Sequence, residues 1–181
     1  FRPTIKSIVE ENSGVIRRYN GSDWKTIAFT NSTITSVWAS GPNDVWVARS
    51  QPVLLHVDST GVGGASNTGS SYGFYGVNGT SGHDIWAVGQ YGQIYHNDST
   101  GWTKFVDALG ITPYDLEAVW AASTNFAVAV GQGGYILKWN GSSWAQDTII
   151  GGLTYRSVSG TGPSDVWSVG EGGTVVHYNG I

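Results

Sequence analysis

The chain has 181 residues, of which 12% are charged, with a net charge of −4 and no Cys or Met. This length allows one domain with a substantial core or a short repeat array. The absence of any Lys/Arg run argues against a nucleic-acid partner, and the absence of Cys excludes disulfides and thiolate zinc sites. No apolar stretch approaches the roughly 20 residues of a membrane span.

Short β-strands are predicted along the whole chain, each rich in Val, Ile, Trp or Tyr and separated from the next by Gly, Asn, Asp or Ser. No segment shows a sustained 3.6-residue period, so no helix is predicted. After a degenerate strand around Ile8, the predicted strands lie at residues 14–19, 23–29, 36–40, 44–48, 53–57, 76–80, 84–88, 93–97, 101–106, 118–122, 126–130, 135–139, 143–149, 157–161, 165–169 and 174–178.

The strands recur with a period of about 40 residues. One marker, the second residue of the VW-x-V strand, lies at Ile8, Trp46, Trp86, Val128 and Trp167. A second marker, at the end of the following strand, lies at Tyr19, Val57, Asn97, Trp139 and Tyr178. Both sets have spacings of 38, 40, 42 and 39 residues, and two markers with identical spacings establish a repeat.

Four short antiparallel strands in each unit predict an all-β fold, a β-propeller of four-stranded blades. We expect a single domain over residues 1–181 with five blades. One blade near the chain termini is incomplete, because the chain is about 19 residues short of five units. Closing the ring through the chain ends would remove exposed sheet edges, and the alternative is an open array or fragment that pairs with another chain. The predicted blade segments are 1–31, 32–70, 71–111, 112–151 and 152–181.

The pattern AVW…DVWAVG-x-G-G-x-I-x-H-Y-N-G-S-S-W, which the units share, resembles a propeller repeat common in secreted and surface proteins of bacteria. It is loosely similar to the sialidase-type and photosystem-assembly-factor propellers. The resemblance covers nearly the whole chain and implies the architecture, but such propellers bind sugars, proteins or no known ligand. Low charge, abundant Gly, Ser, Thr and Asn, and no thiols predict a secreted or cell-surface location.

Tryptophans occur at three positions of the repeat. Those of the second strand (Trp46, Trp86, Trp167) and those opening the fourth (Trp24, Trp102, Trp144) are predicted to lie in the core between blades. Trp38 and Trp120 differ, because their slot in the first strand holds Asn78 and Ser159 in other units. A slot that tolerates polar residues predicts a solvated channel or groove, so Trp38 and Trp120 are candidate ligand-binding residues.

The third strand carries a hydrogen-bond donor just before the aromatic marker in every unit. These residues are Arg18, His56, His96, Lys138 and His177. Either each donates to the backbone of a neighbouring blade, or His56, His96 and His177 belong to a repeated ligand pocket. Five equivalent positions in a ring lie too far apart to share a metal ion, so neither a metal nor a cofactor is predicted.

Turns between strands supply the remaining candidates. The tips at residues 89–93 and 131–135 contain Tyr91 and Gln132, which we expect to be exposed for recognition. Asp44, Asp84 and Asp165 open second strands and are predicted to accept backbone N–H groups in turns. Asn-x-Ser/Thr sequons, which are also ordinary turn sequences, occur at Asn20, Asn31, Asn78, Asn97 and Asn140.

Three functions are weighed on this basis. The repeated aromatic and neutral polar residues favour a non-enzymatic recognition module for carbohydrate, in which weak sites on each blade add up through avidity. The alternative is a structural or protein-interaction propeller that docks on a surface protein through its incomplete blade, or self-associates through terminal strands. The sequence argues against a hydrolase, because it has no unique Ser–His–acid site, no paired carboxylates and no arginine cluster.

Overall fold

A computed structural model describes residues 14–66, 68–106 and 113–180 and places most of them in β-strands, which confirms the all-β prediction. The predicted strand around Ile8 lies outside the described residues. Three-residue 3₁₀ turns occupy Gln90–Gly92, Gln132–Gly134 and Glu171–Gly173. In chain order the strands are β1 (Gly14–Tyr19), β2 (Trp24–Thr30), β3 (Ile34–Gly41), β4 (Asp44–Arg49), β5 (Leu54–Asp58), β6 (Gly61–Ser66), β7 (Phe74–Ser81), β8 (Asp84–Gly89), β9 (Ile94–Asn97), β10 (Trp102–Val106), β11 (Leu116–Ser123), β12 (Phe126–Gly131), β13 (Tyr135–Trp139), β14 (Trp144–Ile149), β15 (Tyr155–Gly162), β16 (Asp165–Gly170) and β17 (Val175–Tyr178).

These strands form five antiparallel meanders, which we number as sheets 1 to 5. Sheet 1 comprises β1 and β2, sheets 2, 3 and 4 comprise β3–β6, β7–β10 and β11–β14, and sheet 5 comprises β15–β17. Each predicted blade segment contains one sheet. Within the described residues sheet 5 has three strands, so its third strand, β17, is hydrogen-bonded on one side only.

A glycine ends the second strand of sheets 3, 4 and 5 for a steric reason. A Cβ on Gly89, Gly131 or Gly170 would lie 2.2, 2.1 or 2.3 Å from a backbone carbonyl oxygen of the segment entering the first strand. No side chain fits at such distances, so the first and second strands can approach only with glycine there. The DVW-x-V-G motif is therefore a packing signal.

The sheets pack face to face in chain order. The first strands contact one another across successive sheets, β3 with β7, β7 with β11 and β11 with β15, while β2 packs on β6. Successive sheets that meet through their first strands surround an axis, as propeller blades do. Between sheets 3 and 4 the core joins Trp86 of β8 to Leu116 and Val119 of β11 and to Trp139 and Trp144 of β13 and β14.

Both terminal sheets present an exposed apolar face. Trp86 is fully buried, whereas Trp167, at the same position of sheet 5, is 47% exposed, and Trp24 of sheet 1 is 67% exposed. The prediction that second- and fourth-strand tryptophans lie in the core is confirmed for Trp46, Trp86 and Trp144, which are buried, and for Trp102, which packs on the core. It is wrong for Trp24 and Trp167, because their faces are uncovered. Such faces are what an open array predicts.

We expect Trp86→Ala to lower the free energy of unfolding by about 3–5 kcal/mol, because it leaves a large cavity between two sheets. Trp167→Ala, at the matched position of sheet 5, should cost far less, since its ring is half in solvent. Urea unfolding followed by far-UV circular dichroism measures both. Equal costs would mean that sheet 5 is covered as completely as sheet 3.

Candidate functional site

An aspartate–histidine–tryptophan network recurs in sheets 2, 3 and 5. In sheet 5 the Asp165 carboxylate accepts hydrogen bonds from Thr161 Oγ1 at 2.5 Å, Trp167 Nε1 at 3.0 Å and His177 Nε2 at 2.8 Å, and His177 stacks on Trp167 with ring centroids 4.0 Å apart. Sheet 2 repeats the whole network with Ser40, Asp44, Trp46 and His56. Sheet 3 repeats the hydroxyl–aspartate bond, the Asp–His bond and the ring stacking with Thr80, Asp84, Trp86 and His96.

Hydrogen bonding keeps these aspartates ionised. Burial raises the pKa of Asp84, but hydrogen bonds from His96 and Thr80 outweigh burial and leave that pKa below its ordinary value. At the more exposed Asp165, the hydrogen bonds from Thr161 and His177 lower the pKa. The sequence predicted backbone N–H donors for these aspartates, and for the histidines either a backbone partner on a neighbouring blade or a place in a repeated ligand pocket. The structure instead pairs the two groups within one sheet, because the second and third strands set them side by side.

Sheet 4 departs from this pattern. Phe126 stands where sheets 2, 3 and 5 have aspartate, and Lys138 stands where these three sheets have histidine. Lys138 Nζ pairs with Asp147 Oδ1 at 2.7 Å and lies 4.9 Å from the centre of the Tyr178 ring of sheet 5. The hydrogen bond that Lys138 donates to Asp147 raises the pKa of Lys138. Sheet 4 therefore directs its third-strand cation across the interface to sheet 5.

A cavity of about 340 Å³ opens beside Lys138, between sheets 4 and 5. Its walls are mainly apolar, and β17 forms one side. Lys138, Asp147 and Tyr178 lie at its polar margin, and its apolar lining comprises Val128, Val130, Ile136, Ile150, Val158, Val166 and Val176. An apolar hollow with a few polar groups at its margin is the usual form of a binding site.

The position of the cavity follows from the other interfaces. Trp102, the first residue of β10, packs its ring 5.4 Å from that of Trp46, and Trp144, the first residue of β14, packs 5.1 Å from Trp86. At the interface between sheets 4 and 5, Val128 replaces the second-strand tryptophan, and sheet 5 has no fourth strand in the part of the chain described. The cavity is the space that a fourth-strand tryptophan fills elsewhere.

The register supports this equivalence. The opening tryptophan of the fourth strand pairs with the last residue of the third in sheets 3 and 4, as Asn97 with Trp102 and Trp139 with Trp144. In sheet 5 the last residue of the third strand is Tyr178, which borders the cavity. An added fourth strand would therefore place its first residue opposite Tyr178.

Trp38 and Trp120, predicted as ligand-binding residues, lie half-buried between sheets. A Cβ on Gly79 would stand 3.1 Å from the ring of Trp38, and one on Gly160 would stand 2.8 Å from that of Trp120, so each tryptophan lies against a glycine of the next sheet. In the same slot Asn78 accepts the backbone N–H of Ala121 at 3.0 Å. This position tolerates a polar residue because both tryptophan, by ring packing, and asparagine, by a hydrogen bond, make a contact with the next sheet.

Tyr91 and Gln132 lie on successive turns and share one acceptor. Asp115 accepts the backbone N–H of Tyr91 through Oδ1 at 2.8 Å and the Gln132 Nε2 group through Oδ2 at 3.3 Å. Tyr91 is 55% exposed and has a left-handed φ of +55°. The equivalent position of the next two turns is occupied by glycine, Gly133 and Gly172. The Tyr91 ring packs edge-on against Tyr72, with centroids 4.6 Å apart. Tyr72 was not predicted from the sequence, although it lies two residues before a first strand, as Tyr114 does.

A second hollow, of about 280 Å³ and mostly polar, lies among the first strands of sheets 2 to 5. Arg156 pairs there with Glu117 at 3.1 Å and also with Glu171. Within the described ranges no cluster of three or more His, Asp or Glu side chains has the geometry to hold a metal ion. In the same residues no helix has the length and apolar character to cross a membrane.

Comparison with known proteins establishes the fold. No family model and no curated protein matches the sequence. A solved structure of YCF48 bound to D1 peptide aligns with a TM-score of 0.69 at 16% identity over 94% of this chain, and YCF48 from Cyanidioschyzon merolae aligns with a TM-score of 0.69 at 15% identity over 88%. The chain spans 61% of the length of each. The predicted β-propeller architecture is confirmed.

We expect Asp84→Asn to destabilise the protein by about 1–3 kcal/mol at neutral pH, because Asp84 is buried and accepts charge-assisted hydrogen bonds. Asp165→Asn is the matched control with a smaller effect, since that carboxylate is more exposed. The pKa of Asp84 is lowered by folding, so its stabilisation is present above the ordinary carboxyl pKa and disappears as pH falls through the folded value.

Urea unfolding of the wild type and the two variants at pH 7 and pH 3 measures how large each loss of stability is and whether it falls or rises with pH. The deficit of Asp84→Asn should shrink at pH 3. A deficit that grows on acidification would contradict the assignment of an ionised acceptor.

Proposed function

We propose that this chain is a non-enzymatic protein-interaction propeller that binds an extended segment of a protein partner as the fourth strand of sheet 5. The observation that carries the proposal is the apolar cavity of about 340 Å³ beside β17. It lies where sheets 3 and 4 place the tryptophan that opens their own fourth strand.

The backbone of β17 supplies the affinity. Third strands β5, β9 and β13 are hydrogen-bonded on both sides, whereas β17 pairs with β16 alone in the residues described. An unpaired strand edge offers a row of N–H and C=O groups that an extended peptide satisfies by β-augmentation. The ligand class is therefore a peptide in extended conformation, running antiparallel to β17.

The cavity supplies the specificity. Val128, Val166 and Val176 form an apolar floor, and Tyr178 marks the register of the first peptide residue. An aromatic side chain at that residue would reproduce the packing of Trp102 and Trp144. Because Lys138 and Asp147 neutralise each other at the margin, the site favours an uncharged aromatic anchor over a charged one.

The similar fold supports a peptide as the ligand class. A propeller that aligns over 94% of this chain has been solved with a peptide bound, and the proposal extends that ligand class to sheet 5 of this chain. At 16% identity the likeness carries the fold alone, so the location of the site rests on the cavity and the strand edge. A secreted or cell-surface location stays a prediction from composition.

Carbohydrate binding also stays a prediction from the sequence. Its candidates Trp38 and Trp120 make contacts between sheets, and His56, His96 and His177 are bonded to aspartates of their own sheets. Of the two turn residues, Tyr91 has an exposed ring, packed on Tyr72. A peptide partner accounts for the open edge of β17 as well as for the cavity, which a sugar does not.

A peptide that copies residues 141–150, GSSWAQDTII, tests the proposal, since it is the segment that opens and forms the fourth strand of sheet 4. We expect saturable binding by isothermal titration calorimetry or fluorescence anisotropy. The same peptide with Trp144→Ala should bind roughly thirtyfold more weakly, the usual loss for a buried tryptophan anchor.

Two neighbouring substitutions on β17 locate the site. Val176 faces the cavity and Val175 faces outward, so Val176→Lys should weaken peptide binding while Val175→Lys should not. Urea unfolding establishes that both variants are folded. Two results would refute the proposed site. One is equal binding of the peptide with and without Trp144→Ala, and the other is binding that Val175→Lys abolishes while Val176→Lys leaves it unchanged.

A further inference from the structure

We infer that the outward face of sheet 1 and the outward face of sheet 5 bind each other between two copies of this chain, head to tail. The outward face of sheet 1 carries Val15, Tyr19, Trp24 and Phe29, and the outward face of sheet 5 carries Trp167, Val169, Val175 and His177. Two exposed apolar sheet faces on one chain mark interaction surfaces.

The interior of the protein shows what fits such faces. The second-strand tryptophan of one sheet packs on the opening tryptophan of the next sheet's fourth strand: Trp46 meets Trp102 with ring centroids 5.4 Å apart, and Trp86 meets Trp144 at 5.1 Å. Both contacts have near-perpendicular rings, at 70° and 84°. The contact is directional, because its halves come from different strands of successive sheets.

The two end faces carry the two unmatched halves of this contact. Trp167 is the second-strand tryptophan of sheet 5, and Trp24 opens the fourth strand, β2, of sheet 1. By the interior pattern, the face of sheet 5 fits against the face of sheet 1. Since Trp167 and Trp24 are 47% and 67% exposed, the halves do not cover each other within one chain, and a second copy supplies both partners.

Both rings are held in place before association. Trp167 donates its indole N–H to Asp165 at 3.0 Å and stacks on His177, and Trp24 packs on Tyr19 with centroids 5.5 Å apart. Little side-chain freedom is then lost on binding, which favours association. Because the two faces differ, the contact is heterologous and propagates into rings or open chains of copies.

This surface is separate from the peptide site except at His177, which also lines the cavity. Val166 and Val176 point from sheet 5 towards sheet 4 and line the cavity, whereas Trp167 and Val175 point the other way. The proposal therefore goes beyond the proposed function, and either can fail alone: Val175→Lys should disturb self-association and leave peptide binding intact, and Val176→Lys should do the reverse.

Sedimentation velocity of the wild-type chain over increasing concentration tests the proposal. We expect concentration-dependent association into species larger than a dimer. Trp24→Ala and Trp167→Ala should each weaken it roughly thirtyfold or more, as loss of a central tryptophan anchor does. Tyr91→Ala, which removes an exposed aromatic ring from a turn, is the matched control and should leave association unchanged.

Mixing the two variants gives the decisive result. The Trp24→Ala chain keeps an intact sheet 5 face and the Trp167→Ala chain keeps an intact sheet 1 face, so an equimolar mixture should form a one-to-one dimer and stop there. A wild type that stays monomeric into the high micromolar range, association that survives both substitutions, or a mixture that remains monomeric overturns the inference. A monomeric wild type would mean that a different protein, or further repeats, covers the faces.

Discussion

The rest of the structure depends on one requirement: each sheet is apolar on both faces, and each face must be covered by the next sheet. In the middle of the array the requirement is met by tryptophan packed on tryptophan, Trp46 on Trp102 and Trp86 on Trp144. These rings are large and rigid, so two of them per interface fill the widening space between the outer strands. At the array's ends the same residue types are exposed, which is why we propose those faces as binding surfaces.

The Asp–His networks serve this packing. The histidine of the third strand stacks on the second-strand tryptophan, at 4.0 Å in sheets 3 and 5, while the aspartate holds the histidine through a charge-assisted bond. The tryptophan is thereby fixed with its outer ring surface presented to the following sheet. Among the residues described, no sheet covers the outward face of sheet 5, so the same hydrogen bond and ring stacking hold Trp167 in a fixed orientation facing solvent.

Most of the fold was predictable from the sequence, because the strands and turns of each repeat are specified by residues that act on their immediate neighbours in the chain. The marker spacing predicted the sheets, and the boundaries of the predicted strands agree with the structure to within about two residues, since Gly, Asn and Asp mark the turns. The glycine-rich strand β6 was not predicted, because it lacks the Val, Ile, Trp and Tyr content of the other strands. The partners of Asp84 and His96 were missed because they lie twelve residues apart and meet only through the pairing of β8 with β9. The incomplete blade was predicted from the residue count, but the cavity was not, because it depends on how the side chains of two sheets pack once they meet.

The interface between sheets 4 and 5 is where the repeat departs from itself most. Val128 replaces tryptophan, Phe126 replaces aspartate and Lys138 replaces histidine, so sheet 4 has neither the ring nor the network that presents it. If this interface served only to hold the two sheets together, these substitutions would leave a poorly filled gap and would lower the stability of the fold without any other effect. A small floor residue, together with a cation drawn aside to Asp147, instead leaves room for an aromatic ring from outside the chain. The interfaces on either side of sheet 3 are filled by tryptophans of the chain itself. Sheets 4 and 5 meet across an open cavity, and this is the space that we propose for a partner's aromatic anchor.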